Sequence, residues 1–456
     1  MTHKPFIKKY SVQGLFGYKN IELTFDKNVK ILIGENGYGK TTILNSLAYL
    51  LQSEYIKLSR IKFEKIKIEF DDTHIYEFSY SDLKSYNAYK DRLRTNEDSI
   101  FNYIHNNIDH EVVLKLIKLV DTDAREFNKL IKSNTILDGL PSHMVYQMFL
   151  EQSNVQNKYK VFDDLSTYIN STGYKILFYP TYRRIEVDWK NIIDNTTLNH
   201  RRTARLEHPE DLLKNNSIIK FGMTDVEKRI DKICNEISES SLSGFAAVSG
   251  NMISKLLAPN CNVVENHSFD INEITIVLSR VGENMSQADK DIILSQISQD
   301  PSLSNQNQYL IYFLDQLLSV YKKQEQYDLS IKKFVQTCNK YLSNKEFTYD
   351  ESMVSLKLQR TTSFGNGERI ELKQLSSGEK QIVSIFSQLY LEPDKKYIVL
   401  FDEPELSLSI YWQEKLLPDI LQSNKCSFLL AVTHSPFIFN NELQDSTVGI
   451  QEFIYE

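Results

Sequence analysis

Val29-Lys30-Ile31-Leu32-Ile33-Gly34-Glu35-Asn36-Gly37-Tyr38-Gly39-Lys40-Thr41-Thr42 decides how this chain folds. Val29 to Ile33 is a short apolar run that reads as a buried strand. Gly34 to Thr41 then fits G-x-x-x-x-G-K-T, and Ile43, Leu44, Leu47 and Leu50 follow at helical spacing. Strand, glycine-rich loop and helix, in that order, are the setting the motif requires. The glycines let successive backbone N–H groups turn inward around phosphate oxygens. The helix adds the partial positive charge of its N-terminus. Such a cradle assigns Asn36, Gly37, Gly39, Lys40, Thr41 and Thr42 to a bound nucleotide, ATP in the first place. Lys40 would reach its β- and γ-phosphates and the Thr41 hydroxyl would hold Mg²⁺.

Composition bounds the rest. A chain of 456 residues holds two domains, or one with a large insertion. A net charge of -7 argues against a surface coated in nucleic acid, though it permits a local basic groove. Met1 to Val12 has lysines but no apolar centre, so no secretory signal is expected. No apolar run approaches the ~18 residues of a membrane span, so no membrane partner is expected either. Cys234, Cys261, Cys338 and Cys426 are scattered and form no C-x-x-C pair, which fits reduced thiols and a cytoplasmic location.

Ahead of the cradle, Ile7 to Val12 and Ile21 to Phe25 read as strands with Gly14 to Tyr18 as a turn. After its helix, Ile61, Phe63, Ile66, Ile68 and Phe70 alternate with charged residues, with one slip near Glu64, and Ile75 to Tyr80 returns as an antiparallel partner with one wet face. From about Asn96 to Tyr168 the period is helical, with Val112, Val113, Leu116 and Val120 on one face and Met144, Met148, Phe149 and Leu150 on another. Tyr174 to Tyr179 is a strand again, stopped by Pro180. Arg183 and Arg184 follow, placed either to face a phosphate or to pair with Glu186 and Asp188. A polar stretch from Asp188 to Ser217, including Arg201-Arg202-Thr203-Ala204-Arg205, reads as a mobile segment with a solvated or nucleic-acid-facing basic triplet. Thr224 to Glu227 spells a capping box that opens a helix through Ile230, Ile233 and Ile237. Helices then run to about Leu342, and Phe347 to Leu358 with Ile370 to Leu372 read as a hairpin around Gly365-Asn366-Gly367.

Three motifs close the chain. Leu375-Ser376-Ser377-Gly378-Glu379-Lys380-Gln381 opens an amphipathic helix; alone it would be a Ser-Gly cap, but Ser376 and the Gly378 backbone also make a second anion site, with Ser377 and Glu379 beside them expected at the nucleotide. Tyr397 to Phe401 is an apolar strand ending in Asp402-Glu403-Pro404, where Asp402 would bind Mg²⁺ through water and Glu403 would polarise an attacking water. Phe428 to Val432 is another strand, ending in Thr433-His434-Ser435-Pro436, with His434 placed to contact a γ-phosphate.

Walker A, an LSSGEKQ signature, Walker B with DEPE and a switch histidine, in this order, resemble the ABC-type ATPases. GENGYGKTT, DEPELSL and VTHSP resemble the SMC/RecF/OLD-like branch; the long stretch between Lys40 and Ser376 is unlike compact transporter heads. FYPTYRRIE and FGMTDVEKRI narrow the likeness to the PtuA-type ATPases of Septu-type or retron-associated anti-phage defence. The resemblance implies an α/β fold: a P-loop ABC-type ATPase head, a mixed sheet with an antiparallel β subdomain, carrying a large, mainly helical insertion. The head would comprise residues 1–95 and 345–456, and the insertion 96–344, with a head strand near 174–185.

The resemblance further implies a Mg²⁺-dependent ATPase working as a homodimer or higher homo-oligomer. Ser376 and Gly378 of one subunit would close on nucleotide held by Lys40 of the other. A separate PtuB-like HNH nuclease would be the partner, because no Toprim or HNH constellation is expected in this chain. Nucleic acid would be met through the complex, retron msDNA being one candidate. The competing reading is a RecF-like DNA-binding repair or recombination ATPase without a nuclease. The pattern departs at three places, the first being Ser377 in the signature, where many relatives have Gly. No glutamine follows the strand at Ile176 to Tyr179, where the family carries a ligand to Mg²⁺ and water, and Ser409 stands where relatives often have His.

Overall fold

A computed structural model describes residues 5–35, 37–70, 74–95, 108–138, 140–181, 223–257, 268–303, 308–361 and 367–455. Asn36, Arg183, Arg184, the Asp188 to Ser217 stretch, Cys261, Gly365 and Asn366 lie outside the described residues. The strands, in chain order, are β1 (Ile7–Leu15), β2 (Lys19–Thr24), β3 (Val29–Ile33), β4 (Lys65–Phe70), β5 (Ile75–Ser79), β6 (Tyr174–Tyr179), β7 (Lys345–Asp350), β8 (Ser355–Arg360), β9 (Lys396–Asp402), β10 (Cys426–Thr433), β11 (Thr447–Gly449) and β12 (Ile454–Tyr455). The principal helices are α1 (Lys40–Leu51), α2 (Tyr80–Thr95), α3 (His110–Thr122), α4 (Ala124–Lys132), α5 (Ser142–Ser171), α6 (Met223–Leu256), α7 (Ile271–Arg280), α8 (Gln287–Gln299), α9 (Gln308–Asn339), α10 (Ser377–Tyr390) and α11 (Ile410–Gln422). They form two compact units: residues 1–217, 397–404 and 427–456 in the first, and 218–396 and 405–426 in the second. The expected insertion of 96–344 is thus shared, its first helices falling in the unit that contains α1.

The first unit is built on two five-stranded sheets, ordered β12-β2-β1-β4-β5 and β11-β3-β10-β9-β6. The former is antiparallel throughout, with Tyr10 opposite Leu23 on one side and Ile68 on the other. Its alternation is the one read from the sequence: Ile66, Ile68 and Phe70 are buried, while Lys65 and Lys67 face solvent and pair with Glu77 at 2.5 Å and Glu69 at 2.6 Å. The lysines therefore belong to a solvated face. In the second sheet β3 runs parallel to both β10 and β11, with Ile33 beside Thr433 and Gly449. Strands covered on both faces need no polar alternation, which is why β9 and β10 are continuous apolar runs. One core joins the two sheets and α1: Leu32, Ile43, Leu47, Ile398, Leu430 and Val432 pack in the same cluster as Ile66 and Ile68.

Helix α5 serves two cores. Val145 and Phe149 close a helical cluster with Val113, Leu116, Val120 and Phe127. Further along, Phe162 stands against Phe78, Tyr86 and Tyr55 at ring distances of 4.8, 4.6 and 5.2 Å. Of the residues read onto this helix's inner side, Phe149 is buried and Leu150 packs beside it, whereas Met144 is 44% exposed and Val145 faces inward in its place.

In the second unit α6, α9 and α10 pack together, and Phe334 of α9 meets Phe347 of β7 at 5.2 Å. Helix α6 begins at Met223, one residue before the expected cap, and buries Ile233 and Ile237 as expected. The expected single strand from Phe347 to Leu358 is itself the hairpin: β7 and β8 pair antiparallel with Phe347 opposite Leu358 and Asp350 opposite Ser355. Val354, at φ 47°, makes the turn, so no glycine marked it. Ile370 still joins as a third member, its N–H bonded to Leu358 O at 2.8 Å. A buried group ties the hairpin to the helices: Arg280 Nη2 donates to Asp328 at 2.7 Å, and Tyr349 donates to the same carboxylate oxygen at 2.5 Å.

Candidate nucleotide site

Two φ values shape the glycine-rich loop. Gly37 and Gly39 stand at φ 88° and 91°, a region closed to most side chains. Gly39 is the N-cap of α1, and the first intrahelical bond is Ile43 N–H to Gly39 O at 2.9 Å. The N–H groups of Lys40, Thr41 and Thr42 precede that bond and point out of the helix end. No acidic side chain stands in the first turn of α1 to compete for them. Lys40 is 5% exposed, and its ammonium donates to Gly34 O at 2.6 Å and Glu35 O at 2.7 Å. The charge is thereby held inside the curve of the loop.

The end of β9 meets the same place. Thr41 Oγ1 donates to Asp402 Oδ1 at 3.0 Å, and Asp402 is 1% exposed. Glu403 follows at φ 51°, with its N–H on Val432 O at 2.8 Å. A left-handed glutamate directly before Pro404 is strained, since the residue ahead of proline prefers an extended backbone. Strain of this kind collects where a side chain must be aimed. On β10, the neighbouring strand, Thr433 is buried and His434 is exposed just beyond it. Lys40, Thr41, Asp402, Glu403 and His434 thus stand at the ends of three adjoining elements. Hard oxygen ligands, a threonine hydroxyl and a carboxylate hydrogen-bonded to one another, suit Mg²⁺.

Two features here were not read from the sequence. The turn between β1 and β2 presents Phe16 and Tyr18, 48% and 64% exposed, and Phe16 lies 3.7 Å from where a side chain on Gly39 would start. Lys19 donates to Gly37 O at 3.0 Å and its ammonium lies 5.4 and 5.5 Å from the Tyr18 and Tyr38 rings. The other is Thr181, which donates to Asp402 Oδ2 at 2.5 Å.

The signature segment belongs to the second unit. Ser376 is the N-cap of α10 in a reciprocal capping box: Glu379 N–H donates to its hydroxyl, and the Glu379 carboxylate accepts from the Ser376 N–H. That carboxylate also takes both of its Lys345 contacts, at 2.7 and 2.8 Å. Burial would raise the pKa of Glu379, but the Lys345 ammonium and the Ser376 N–H outweigh it and hold the group below the usual range. Glu379, expected to touch nucleotide, is turned inward and organises the loop, whereas Ser376 and Ser377 are exposed. Ser409 is the N-cap of α11. Gly378 has no room for a side chain: a Cβ would lie 2.4 Å from Ser407 O and 3.2 Å from the Trp412 ring. Gly378→Ala is therefore expected to cost about 1–3 kcal/mol, as overpacking does, read as a lowered thermal midpoint.

A glycine-rich loop between strand and helix, with its threonine hydrogen-bonded to an acidic strand end, defines a P-loop ATPase. The AAA ATPase domain family matches residues 6–439, and the chain belongs to that family. It is 22% identical over 460 residues to the Retron Vc95 probable ATPase of Vibrio cholerae serotype O1 biovar El Tor, across 97% of this chain and 73% of that one. It also aligns with the Smc head domain with an extended coiled coil of Pyrococcus furiosus, solved bound to the C-terminal domain of ScpA, at 12% identity and a TM-score of 0.32 over 95% of this chain and 91% of that one. The Smc head domain of Pyrococcus yayanosii gives 12% identity and a TM-score of 0.29, over 95% and 93%. Among the described residues no helix is long and apolar enough to cross a membrane.

Proposed function

We propose that this chain is the ATP-hydrolysing subunit of an anti-phage defence complex, closing head to head on nucleotide and thereby controlling a separate HNH nuclease. The observation that carries the hydrolytic part is the Thr41–Asp402 hydrogen bond, which joins the loop threonine to the strand-end carboxylate 361 residues away. The defence part is supported by the retron relative and by the motifs shared with PtuA-type ATPases.

Lys40 and the N–H groups at the start of α1 would bind the β- and γ-phosphates. Phe16 and Tyr18, both exposed beside the loop, would offer aromatic rings against which a purine could pack. Thr41 and Asp402 would hold Mg²⁺, which when bound would supply positive charge to the phosphates. Glu403 would take a proton from the attacking water, and His434 would contact the γ-phosphate. Ser376 and the Gly378 backbone of a second copy would complete the pocket, so that hydrolysis removes the shared contact and loosens the pair.

Complementation tests the shared pocket. Ser376→Arg puts a bulky cation at the exposed cap and is expected to leave ATP binding intact while turnover falls roughly 100-fold, the scale of one lost oxyanion-type contact. Mixed with Lys40→Ala, which keeps a sound signature, it should regain turnover through the one intact composite site. Mixtures as inactive as their parents, or turnover retained in Ser376→Arg alone, would rule out completion in trans. Co-expression with the adjacent reading frame addresses the nuclease, since an HNH protein should co-purify. Its absence would favour the RecF-like reading.

A further inference from the structure

Asp402 is gripped from two sides. Oδ1 accepts from Thr41 at 3.0 Å and Oδ2 accepts from Thr181 at 2.5 Å, with the carboxylate 1% exposed. Thr181 reaches it because β6 is the edge strand beside β9. Tyr179 stacks on Phe401 with ring centroids 4.8 Å apart and planes at 29°, which fixes the end of β6 against the end of β9. Pro180 has no N–H to extend the ladder, so the chain leaves the sheet there. The next side chain is Thr181.

A hydroxyl has one hydrogen and two lone pairs. Once that hydrogen goes to Asp402, Thr181 Oγ1 can only accept. An amide carbonyl oxygen is likewise an acceptor only, and such a group is what a glutamine after this strand would have brought. Thr41 stands in the same relation to the other carboxylate oxygen, giving its hydrogen and keeping lone pairs for a cation. Two hydroxyls of like polarity thus flank one carboxylate, a set of hard oxygens that suits a hydrated Mg²⁺. The competing account is that Thr181 merely satisfies a buried carboxylate.

We infer that Thr181 is a positioning residue of the hydrolytic site, holding Asp402 by one oxygen and offering acceptor lone pairs toward the waters of Mg²⁺, in place of the missing glutamine. This rests on the proposed ATPase reading.

Wild type, Thr181→Val and Thr181→Ser would be compared for binding of a fluorescent ATP analogue in EDTA, for the Mg²⁺ concentration that tightens it, and for turnover. Val keeps the shape and removes the hydroxyl. It should bind the analogue in EDTA like wild type, need about tenfold more Mg²⁺ and lose about 10–100-fold in turnover, the usual effect of losing a group that orients a metal ligand. Ser should restore both within a few-fold. A folded Val variant with unchanged Mg²⁺ requirement would overturn the inference, as would a folded Ser variant no better than Val. If Val unfolds, as judged by circular dichroism, Thr181→Ala against Thr181→Ser decides by the same criteria. Wild type that binds no analogue would bring down the ATPase reading itself, whereas normal wild-type binding with silent variants removes only the role of Thr181.

Discussion

Replacing Lys40 by alanine should reduce ATP affinity by roughly 100-fold or more while leaving the fold standing. Two charge-assisted hydrogen bonds to phosphate oxygens, each worth about 1.5–3 kcal/mol, set that scale. The side chain's position makes the loss specific. Its ammonium is already gathered inside the loop by Gly34 O and Glu35 O, so phosphate binding exchanges acceptors and does not need to order a free lysine. Alanine removes the charge without touching Gly37 and Gly39, whose backbones shape the cradle, and without touching Leu44 or Leu47 in the core. Titration of a fluorescent nucleotide, with thermal melts in its absence as the control for folding, measures the effect. Nucleotide affinity equal to wild type in a folded Lys40→Ala protein would remove the glycine-rich loop from the site.

What the chain disclosed in advance follows from how far each feature reaches along it. The strand, loop and helix from Val29 to Leu50 are local, and each glycine, apolar run and cap acts on its neighbours. Their elements appear where the residues place them. The β9 and β10 strands were legible for the same reason, as unbroken apolar runs. The Thr41–Asp402 contact spans 361 residues but could be anticipated, because both ends carry recognisable motifs. Thr181 also meets Asp402, 221 residues away; it lies within FYPTYRRIE, but that stretch was read for its strand and its arginines, and a threonine after a proline gives no sign of a distant partner. The inward setting of Glu379 was hidden by a related gap. Its capping partner Ser376 is three residues off, but Lys345, which neutralises it, lies on β7 and has no periodic link to the signature. The β7–β8 turn escaped notice because Val354 takes a positive φ without a glycine to announce it.

Glu403→Gln should separate binding from chemistry more cleanly than any other substitution. Glutamine has the same length and shape, so the strained backbone at φ 51° and the N–H bond to Val432 O are undisturbed. It retains an acceptor oxygen to orient water but cannot take the proton. General-base catalysis is worth typically about 100–10,000-fold, so turnover should fall within that range. ATP affinity should stay near wild type, because Lys40, Thr41 and the N-terminus of α1 are intact. With hydrolysis stalled, the closed pair should accumulate, seen as an ATP-dependent shift to larger size that reverses only slowly. Thr181 and Asp402 stay in place in this variant, so its Mg²⁺ requirement should match wild type, in contrast to Thr181→Val. Undiminished turnover would show that Glu403 does not polarise the water. A stalled variant that stays the size of the ATP-free protein would instead keep the chemistry and reject nucleotide as the bond between subunits.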